Sequence, residues 1–275
     1  MFENIIGHDE QKKLLEEMIK KDNISHAYLF SGKDGIGKYL VACEFAKSIL
    51  KTKNLETSAD FKVISKLEDK KEIVIEQIRK EIIDDLYVAP AMGDKKIYII
   101  NNAEYLNIAS QNALLKTLEE PPKYVIIILI SSNTSAFLTT VMSRLNNIPF
   151  EGVKKEEVKE YILKNYNENL SDNILDFVDG SIGNAITIIE NEYLSKFEKV
   201  DLLFDFVSKK NVIEAMKKSQ DIDFKDTTLL DYLEFISYKN GKYSFVKFIE
   251  RAKTRLKYNG NYDIVIDTML INMAK

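Results

Sequence analysis

Cysteine, histidine and proline are scarce in this sequence of 275 residues, and each scarcity excludes a class of site. The single cysteine, Cys43, excludes an internal disulfide and a zinc site built from clustered cysteines. His8 and His26 have no third candidate ligand beside them, so we expect no metal at either histidine. Four prolines and ten glycines argue against long flexible linkers.

Long apolar runs and a strong charge of one sign are also missing. The longest apolar run, residues 125–130, is far too short to cross a bilayer. The first residues lack the basic start and apolar core of a signal peptide. A net charge of −4 gives no case for nucleic-acid binding through bulk charge. We therefore expect a soluble globular protein of two or three domains in a reducing cytoplasm.

The most informative stretch is the sequence GKDGIGK at residues 32–38, which fits the phosphate-loop pattern G-x-x-x-x-G-K. It follows an apolar run at residues 27–31 and precedes an apolar stripe with helical spacing, formed by Val41, Phe45 and Ile49. A strand, a glycine-rich turn and a helix together aim backbone N–H groups and a helix N-terminus at a phosphate. The candidate phosphate-binding residues are Gly32, Gly35, Gly37 and Lys38. The alternative is an ordinary glycine-rich turn.

Two features that hold magnesium in working phosphate-loop enzymes are missing. Tyr39 stands where Ser or Thr should follow the lysine, and a rigid phenol cannot place its oxygen where the short hydroxyl would lie. The strand predicted next to the loop ends in Asn101 instead of aspartate, and Glu104 comes one turn later. Because an amide is a poor magnesium ligand beside a carboxylate, we predict a degenerate second acidic motif at Asn101 and Glu104. We expect no magnesium site and little ATP hydrolysis by the chain alone, while weak ATP binding stays open.

Strand and helix signals alternate over the first 150 residues. Strands are predicted at residues 27–31, 60–65, 96–100 and 124–130. Helices are predicted behind the glycine-rich loop, at residues 75–86 and 110–118, and where Leu14, Leu15, Met18 and Ile19 form one apolar face. Nearly unbroken apolar strands that alternate with helices predict an α/β fold, with a parallel sheet covered by helices on both sides.

After Pro149 the strand signal fades and helical spacing continues to the end of the chain. Helices are predicted at residues 154–164, 173–178 and 185–194, and again from residue 196 onward. We predict three domains: a phosphate-loop α/β domain over residues 1–150, a small helical domain over 151–195 and a helical domain over 196–275.

Residues 101–122, NNAEYLNIASQNALLKTLEEPP, resemble the clamp-loader subunits of bacterial DNA polymerase III, which are AAA+ proteins. Other segments resemble the same family in the family's order: an adenine-side box at residues 5–7, a first sensor at Ser132 or Asn133, a Ser-Arg pair at Ser143 and Arg144, and a second-sensor segment at residues 180–185. The resemblance implies an AAA+ phosphate-loop domain, a helical lid and a C-terminal helical collar for oligomerisation.

Within that family, three departures favour the stationary, delta-prime type over the ATP-hydrolysing motor type. They are Tyr39, Asn101 and Asn184, the last in place of the second-sensor arginine. Residues 51–60 are too short and cysteine-free to form the zinc module of many relatives. The resemblance implies a subunit of a DNA-directed DNA polymerase holoenzyme with no required cofactor. Its expected partners are gamma/tau-like and delta-like subunits and, through the assembly, the sliding clamp and primer–template DNA.

The resemblance makes Arg144 the candidate catalytic residue, an arginine finger supplied to the ATP site of a neighbouring subunit, with Ser143 in support. The competing interpretation is a surface arginine that caps the preceding helix. Glu119 and Glu120 are assigned no chemistry, because adjacent carboxylates at a helix end are usually solvated.

Two other functions stay open. The first is an active ATPase of the same superfamily, in which other groups compensate for Tyr39 and Asn101. The second is a phosphate-loop enzyme of another class, such as a small-molecule kinase. A kinase lid needs clustered arginine and lysine, whereas residues 151–173 mix lysine with glutamate and contain no arginine.

Overall fold

A computed structural model describes residues 1–274 and contains one five-stranded parallel sheet. The strands are β1 (Ala27–Ser31), β2 (Phe61–Ile64), β3 (Lys96–Ile100), β4 (Val125–Ser131) and β5 (Asn146–Pro149). Their order across the sheet is β2-β3-β4-β1-β5, with every neighbouring pair parallel. The predicted α/β class with a parallel sheet is confirmed.

The three central strands form the core because their side chains are apolar on both faces. Every residue of β1, β3 and β4 is buried, and their apolar side chains divide between two clusters. One cluster contains Tyr28 and Phe30 of β1 together with Phe45, and the other contains Leu29 and Tyr98. Strands covered on both sides in this way need no polar alternation.

Strand β5 is an edge strand that the sequence pattern does not reveal. Asn146, Asn147 and Pro149 are exposed, and only Ile148 is buried. A strand paired on one side only tolerates polar residues and a proline. No strand is predicted between residues 131 and 149, and β5 is missed for that reason.

The helices that accompany the sheet are α1 (Asp9–Lys20), α2 (Lys38–Leu50), α3 (Ile75–Ile78), α4 (Ile108–Glu119) and α5 (Thr139–Met142). The first four lie close to their predicted positions, whereas α5 is not predicted. The segment after α3 continues as a π-helical turn over Arg79–Ile83, which shortens the α-helix predicted at residues 75–86. One residue of the apolar face predicted for α1 is not buried: Leu14 is 44% exposed, whereas its neighbour Leu15 is buried. Successive helical residues point about 100° apart, so only one of the two can face the centre of the core.

The rest of the described chain is helical. The helices are α6 (Lys155–Tyr166), α7 (Asp172–Val178), α8 (Ile182–Glu190), α9 (Tyr193–Ser208), α10 (Val212–Ser219), α11 (Thr227–Lys239), α12 (Tyr243–Lys257) and α13 (Tyr262–Ala274). The helix predicted at residues 185–194 is misplaced: α8 begins earlier, contains Gly183 and ends before a turn at residues 191–192. Among the described residues, no helix is long and apolar enough to span a membrane.

The chain divides into two compact units. One comprises Met1–Tyr166 with Asp179–Asn184, and the other comprises Asn167–Val178 with the chain from Ala185. The first unit holds the sheet and all the candidate site residues. The predicted domain limits at residues 150 and 195 stay predictions.

Candidate functional site

The glycine-rich loop lies where β1 ends and α2 begins, as predicted. Three glycines of the loop adopt positive φ values: Gly32 at 147°, Gly35 at 72° and Gly37 at 103°. Residues that carry a Cβ rarely adopt these backbone angles, which explains why glycine occupies the three positions. The backbone N–H groups of residues 34–37 donate to no other described residue, so the loop keeps a concave set of donors that suits an anion.

The lysine of the motif is turned onto the loop itself. Lys38 Nζ donates to the carbonyl oxygen of Gly32 and to that of Lys33 at 2.5 Å, and it lies 3.9 Å from a carboxylate oxygen of Asp34. The residue is only 5% exposed. Burial lowers the pKa of Lys38, while the charges of Asp34 and Glu104 act in the opposite direction. The ammonium group is therefore already engaged by oxygens of its own loop.

Residues 179–184 cover the other side of the loop. The N–H of Gly183 donates to the carbonyl oxygen of Gly35 at 2.8 Å, and Lys33 forms an ion pair with Asp179. A Cβ on Gly183 would lie 2.9 Å from the Cα of Gly35. Asn184, where the family resemblance expects an arginine, donates its backbone N–H to Ser181 Oγ at 3.1 Å. The segment that resembles the second sensor thus packs on the loop through backbone contacts.

Tyr39 occupies the position of the expected short hydroxyl. Its phenol is hydrogen-bonded to Cys43, one turn further along α2, and burial raises the pKa of Tyr39 to about 12, with Cys43 contributing. Burial also raises the pKa of the Cys43 thiol. A neutral phenol and a neutral thiol in contact are poor magnesium ligands.

The end of β3 carries the second half of the candidate site. The backbone N–H of Asn101 donates to Ile64 O at 2.8 Å, and Asn102 adopts a left-handed conformation with φ 52°. Glu104 Oε1 accepts a hydrogen bond from Ser132 Oγ at 2.8 Å. The other carboxylate oxygen, Oε2, is buried and has no hydrogen-bond partner among residues 1–274.

The two first-sensor candidates, Ser132 and Asn133, make different side-chain contacts. Ser132 follows β4 and reaches the carboxylate, whereas the side chain of Asn133 accepts the N–H of Ser135 at 3.0 Å and caps a short 3₁₀ turn. Sequence reasoning missed this contact. The order of β3 and β4 in the sheet could have revealed it, because neighbouring parallel strands end at the same edge.

These residues do not fit a magnesium–nucleotide complex well. The donors at the edge are a phenol, an amide and a carboxylate already bonded to a serine. In the described part of the chain, no three His, Cys, Asp or Glu side chains come together in a group that could hold a metal ion. An anion alone is better matched by the free backbone N–H groups of the loop.

His8 is a contributor to the loop that sequence reasoning also missed. Its Nε2 lies 2.6 Å from the carbonyl oxygen of Ile36, and its ring packs edge-on against Phe150 at 5.1 Å. The residue is buried, and burial lowers its pKa, although the hydrogen bond to Ile36 opposes the shift. Ile5, in the box expected beside adenine, is buried in the core.

Arg144 lies just after α5 and is held by three acceptors. Its Nη1 donates to Thr140 O at 2.6 Å and to Ser143 Oγ at 3.2 Å, and its Nη2 donates to Glu119 Oε1 at 2.6 Å. The side chain keeps 32% of its surface exposed. The bond to Thr140 is the helix-capping contact of the competing interpretation, while the bond to Glu119 involves a residue that sequence reasoning set aside.

An open cleft surrounds this arginine. It has a volume of about 540 Å³ and is lined by His26, Leu118, Glu119, Ser143 and Arg144. The lining brings together the two residues of the Ser-Arg pair and the end of α4. A guanidinium at the wall of a solvent-open cleft can reach an anion on another molecule without any rearrangement of the core.

Comparison with known proteins identifies the family. Residues 7–154 match the family model described as DNA polymerase III, delta subunit. The chain is 30% identical over 215 residues to DNA polymerase III subunit gamma of Buchnera aphidicola subsp. Schizaphis graminum, covering 71% of this chain and 59% of the relative. It is 27% identical over 206 residues to subunit delta' of Bacillus subtilis, covering 70% of this chain and 63% of the relative. The matches thus span less than two thirds of either relative.

A solved structure agrees with this assignment at the level of the fold. The DNA polymerase III gamma subunit-related protein of Thermotoga maritima superposes with a TM-score of 0.55 at 20% identity, over 96% of this chain and 98% of that one. The predicted AAA+ fold is confirmed. From the family match over more than half of its length, the chain belongs to the DNA polymerase III delta-subunit family of bacterial AAA+ clamp-loader proteins.

Proposed function

We propose that this chain is a stationary, delta-prime-type subunit of a DNA polymerase III clamp loader and helps to load the sliding clamp onto primed DNA. Its partners are gamma/tau-like and delta-like subunits, with the clamp and primer–template DNA reached through the assembly. The observation that carries the proposal is Lys38, whose ammonium group is bound by carbonyl oxygens of its own loop. Lys38 has to break these two hydrogen bonds before its ammonium group can neutralise a nucleotide phosphate.

The surroundings of Lys38 support a scaffold role. Gly183 packs against Gly35, so a ligand that needs more room at that point has to displace residues 179–184. Tyr39 and Asn101 supply no good magnesium ligand. The proposed chain therefore needs no cofactor, binds ATP weakly at best and does not hydrolyse it in its own site.

Arg144 is the proposed arginine finger, supplied in trans to the ATP site of a neighbouring motor subunit, with Ser143 in support. A guanidinium stays charged at all relevant pH values and matches phosphate oxygens with a planar fork of donors. Its partner Glu119 is half exposed, and exposed ion pairs contribute only about 0–1 kcal/mol. The Arg144 guanidinium can therefore exchange Glu119 for a phosphate at a small cost in free energy.

The alternative function is a motor-type ATPase. It is favoured by the similarity to subunit gamma, which matches this chain as well as subunit delta' does. The two functions differ in the activity of the isolated chain. Magnesium-dependent ATP turnover by the purified protein, lost in Lys38→Ala, would establish the alternative and contradict the proposal.

The decisive experiment reconstitutes the loader with its motor and delta-like subunits and measures DNA-dependent ATPase activity. Arg144→Ala should slow hydrolysis at the adjacent site by roughly 10³–10⁵-fold, the usual contribution of such an arginine. Arg144→Lys keeps the positive charge but loses the planar set of guanidinium donors. The ATPase rate of a loader with this variant should therefore lie between the rates of the wild-type and Arg144→Ala loaders. Arg79→Ala, at an exposed arginine in the π-helical turn, is the matched control. Wild-type turnover by a correctly assembled Arg144→Ala loader would contradict the trans role.

A further inference from the structure

Helix α12 carries positive charge on two sides, and only one of the two sides has acidic partners. On one side, Lys253 forms ion pairs with Asp231 and Glu234 of α11. On the other side, Lys247, Arg251 and Arg255 are exposed, and their side chains form no ion pair or hydrogen bond with another residue in the range 1–274. We refer to these three residues as the α12 basic row. Acidic residues of α11 therefore neutralise the cation on one side of α12, whereas the cations on the other side are available to bind an anion.

The α12 basic row has a regular geometry. Its members are spaced at i, i+4 and i+8, so they follow one side of the helix with a rise of about 6 Å per step. Two exposed aromatic rings bracket the row: Tyr243 is 61% exposed and Tyr258 is 78% exposed. Tyr243 is positioned by an edge-to-face contact with Tyr238, with ring centroids 5.5 Å apart.

The described residues that line the cleft beside Arg251 and Arg255 include no acidic residue. Arg251 and Arg255 line a small cleft of about 60 Å³ against α13, whose contribution to the lining is uncharged. Those residues are Val265, Thr268, Met269 and Asn272. Within α12, Glu250 is the acidic residue on the exposed side, and Lys257 adds a fourth exposed cation. This local excess of positive charge contrasts with the net charge of −4 for the whole chain.

We propose that the α12 basic row binds the phosphodiester backbone of single-stranded nucleic acid, with Tyr243 and Tyr258 stacking on bases at the two ends. Evenly spaced cations along a straight helix match the repeated phosphates of an extended strand. Arginine forks bind phosphate oxygens in pairs. Exposed rings suit a single strand, because its bases are free to stack on them. This contact is direct and does not depend on the phosphate loop or on Arg144.

The test measures binding of a fluorescein-labelled oligothymidylate of 20 nucleotides to the full chain by fluorescence anisotropy, from 25 to 200 mM salt. Replacing the row with Lys247→Gln, Arg251→Gln and Arg255→Gln should weaken binding at least tenfold at low salt. The slope of log affinity against log salt should fall by about 2, since each lost contact to a single strand removes about 0.7. Tyr258→Ala should weaken binding about fivefold or more while leaving that slope unchanged.

A matched control separates the row from bulk charge. Lys13→Gln, Lys53→Gln and Lys159→Gln remove the same charge at exposed lysines elsewhere and should keep wild-type binding. Equal losses in both triple variants, or no binding by the wild-type chain at 25 mM salt, would overturn the proposal. Displacement of the oligonucleotide by a polyglutamate peptide of equal charge and at equal concentration would also overturn it, in favour of an acidic protein partner. Thermal unfolding of each variant verifies that it is folded.

Discussion

The phosphate loop and the Arg144 cleft belong to the same α/β unit, and each presents one prominent cation. Lys38 is 5% exposed and bound by its own loop, whereas the side chain of Arg144 is 32% exposed at the wall of an open cleft. Both cations have internal partners, but those of Lys38 are backbone carbonyls inside the loop and those of Arg144 include a half-exposed carboxylate. The presence of a cation in a motif is therefore a weaker indication of phosphate binding than the free energy needed to release that cation from its internal partners.

The largest effect on this comparison is expected from Gly183, the residue that packs against the loop. An alanine at a helix position usually stabilises a protein by about 0.5–1 kcal/mol over glycine. Here the added Cβ meets the backbone of Gly35 at 2.9 Å, so Gly183→Ala should instead lower the free energy of unfolding by about 1–3 kcal/mol. Urea denaturation measures the sign.

Gly93 provides the matched control for that substitution. A Cβ at Gly93 would meet no atom within 4 Å, so Gly93→Ala should change the free energy of unfolding by less than about 0.5 kcal/mol. If Gly183→Ala stabilises the protein, residues 179–184 do not pack tightly on the loop, and the contrast between a covered lysine and an open arginine is lost.

The next effect concerns His8, which supports the loop from behind. The pKa of His8 in the folded chain is lowered, so below the unfolded value of about 6.5 the unfolded chain binds more protons. The contribution of His8 to the free energy of unfolding should therefore be fully present above pH 6.5. It should be lost as the pH falls towards the folded pKa, by at most about 1.4 kcal/mol per unit of pKa shift. His8→Asn should remove this part of the pH dependence.

Unfolding at pH 7.5, 6.5 and 5.5 measures that loss, and an NMR titration of the His8 ring gives its pKa directly. A His8 midpoint at or above 6.5 would contradict the prediction. Identical pH profiles for the wild-type chain and His8→Asn would do the same.

The smallest effect is expected at Glu119, the internal partner of Arg144. Because the pair is partly exposed, Glu119→Gln should change the free energy of unfolding by less than about 1 kcal/mol. If Arg144 acts in trans as proposed, Glu119 only competes with the neighbour's phosphate for the guanidinium, and this variant should keep the wild-type ATPase rate of the reconstituted loader within about threefold. Glu120→Gln, at the adjacent exposed carboxylate, is the control. A loss as large as that of Arg144→Ala would mean that Glu119 positions the arginine instead.

The strands show how far the sequence alone reaches. β1, β3 and β4 are predictable because both faces are buried, which leaves unbroken apolar runs such as Val125–Ser131. β5 is not predictable in this way, because an edge position accepts Asn146, Asn147 and Pro149. Leu14 fails for a different reason: helical spacing identifies a stripe but does not say where the stripe ends.

The candidate site divides in the same way. The sequence places Gly32, Gly35, Gly37 and Lys38 in one loop and identifies the replacements at Tyr39 and Asn101. It reads Gly183 as punctuation, whereas the structure puts it inside α8, where the lack of a Cβ permits contact with Gly35. The bonds of Glu104 to Ser132 and of His8 to Ile36 join residues 28 positions apart, so no local pattern predicts them.

By itself the sequence determined the chemistry available to this protein: a glycine-rich loop with a lysine, no hydroxyl or aspartate placed for magnesium, and an arginine after a serine. These are properties of residue types and short spacings, which local rules describe. Only the tertiary structure decided how that chemistry is used, because hydrogen bonds and burial depend on partners brought together by folding. It turned Lys38 onto its own carbonyls, covered Gly35 with Gly183 and left Arg144 beside an open cleft.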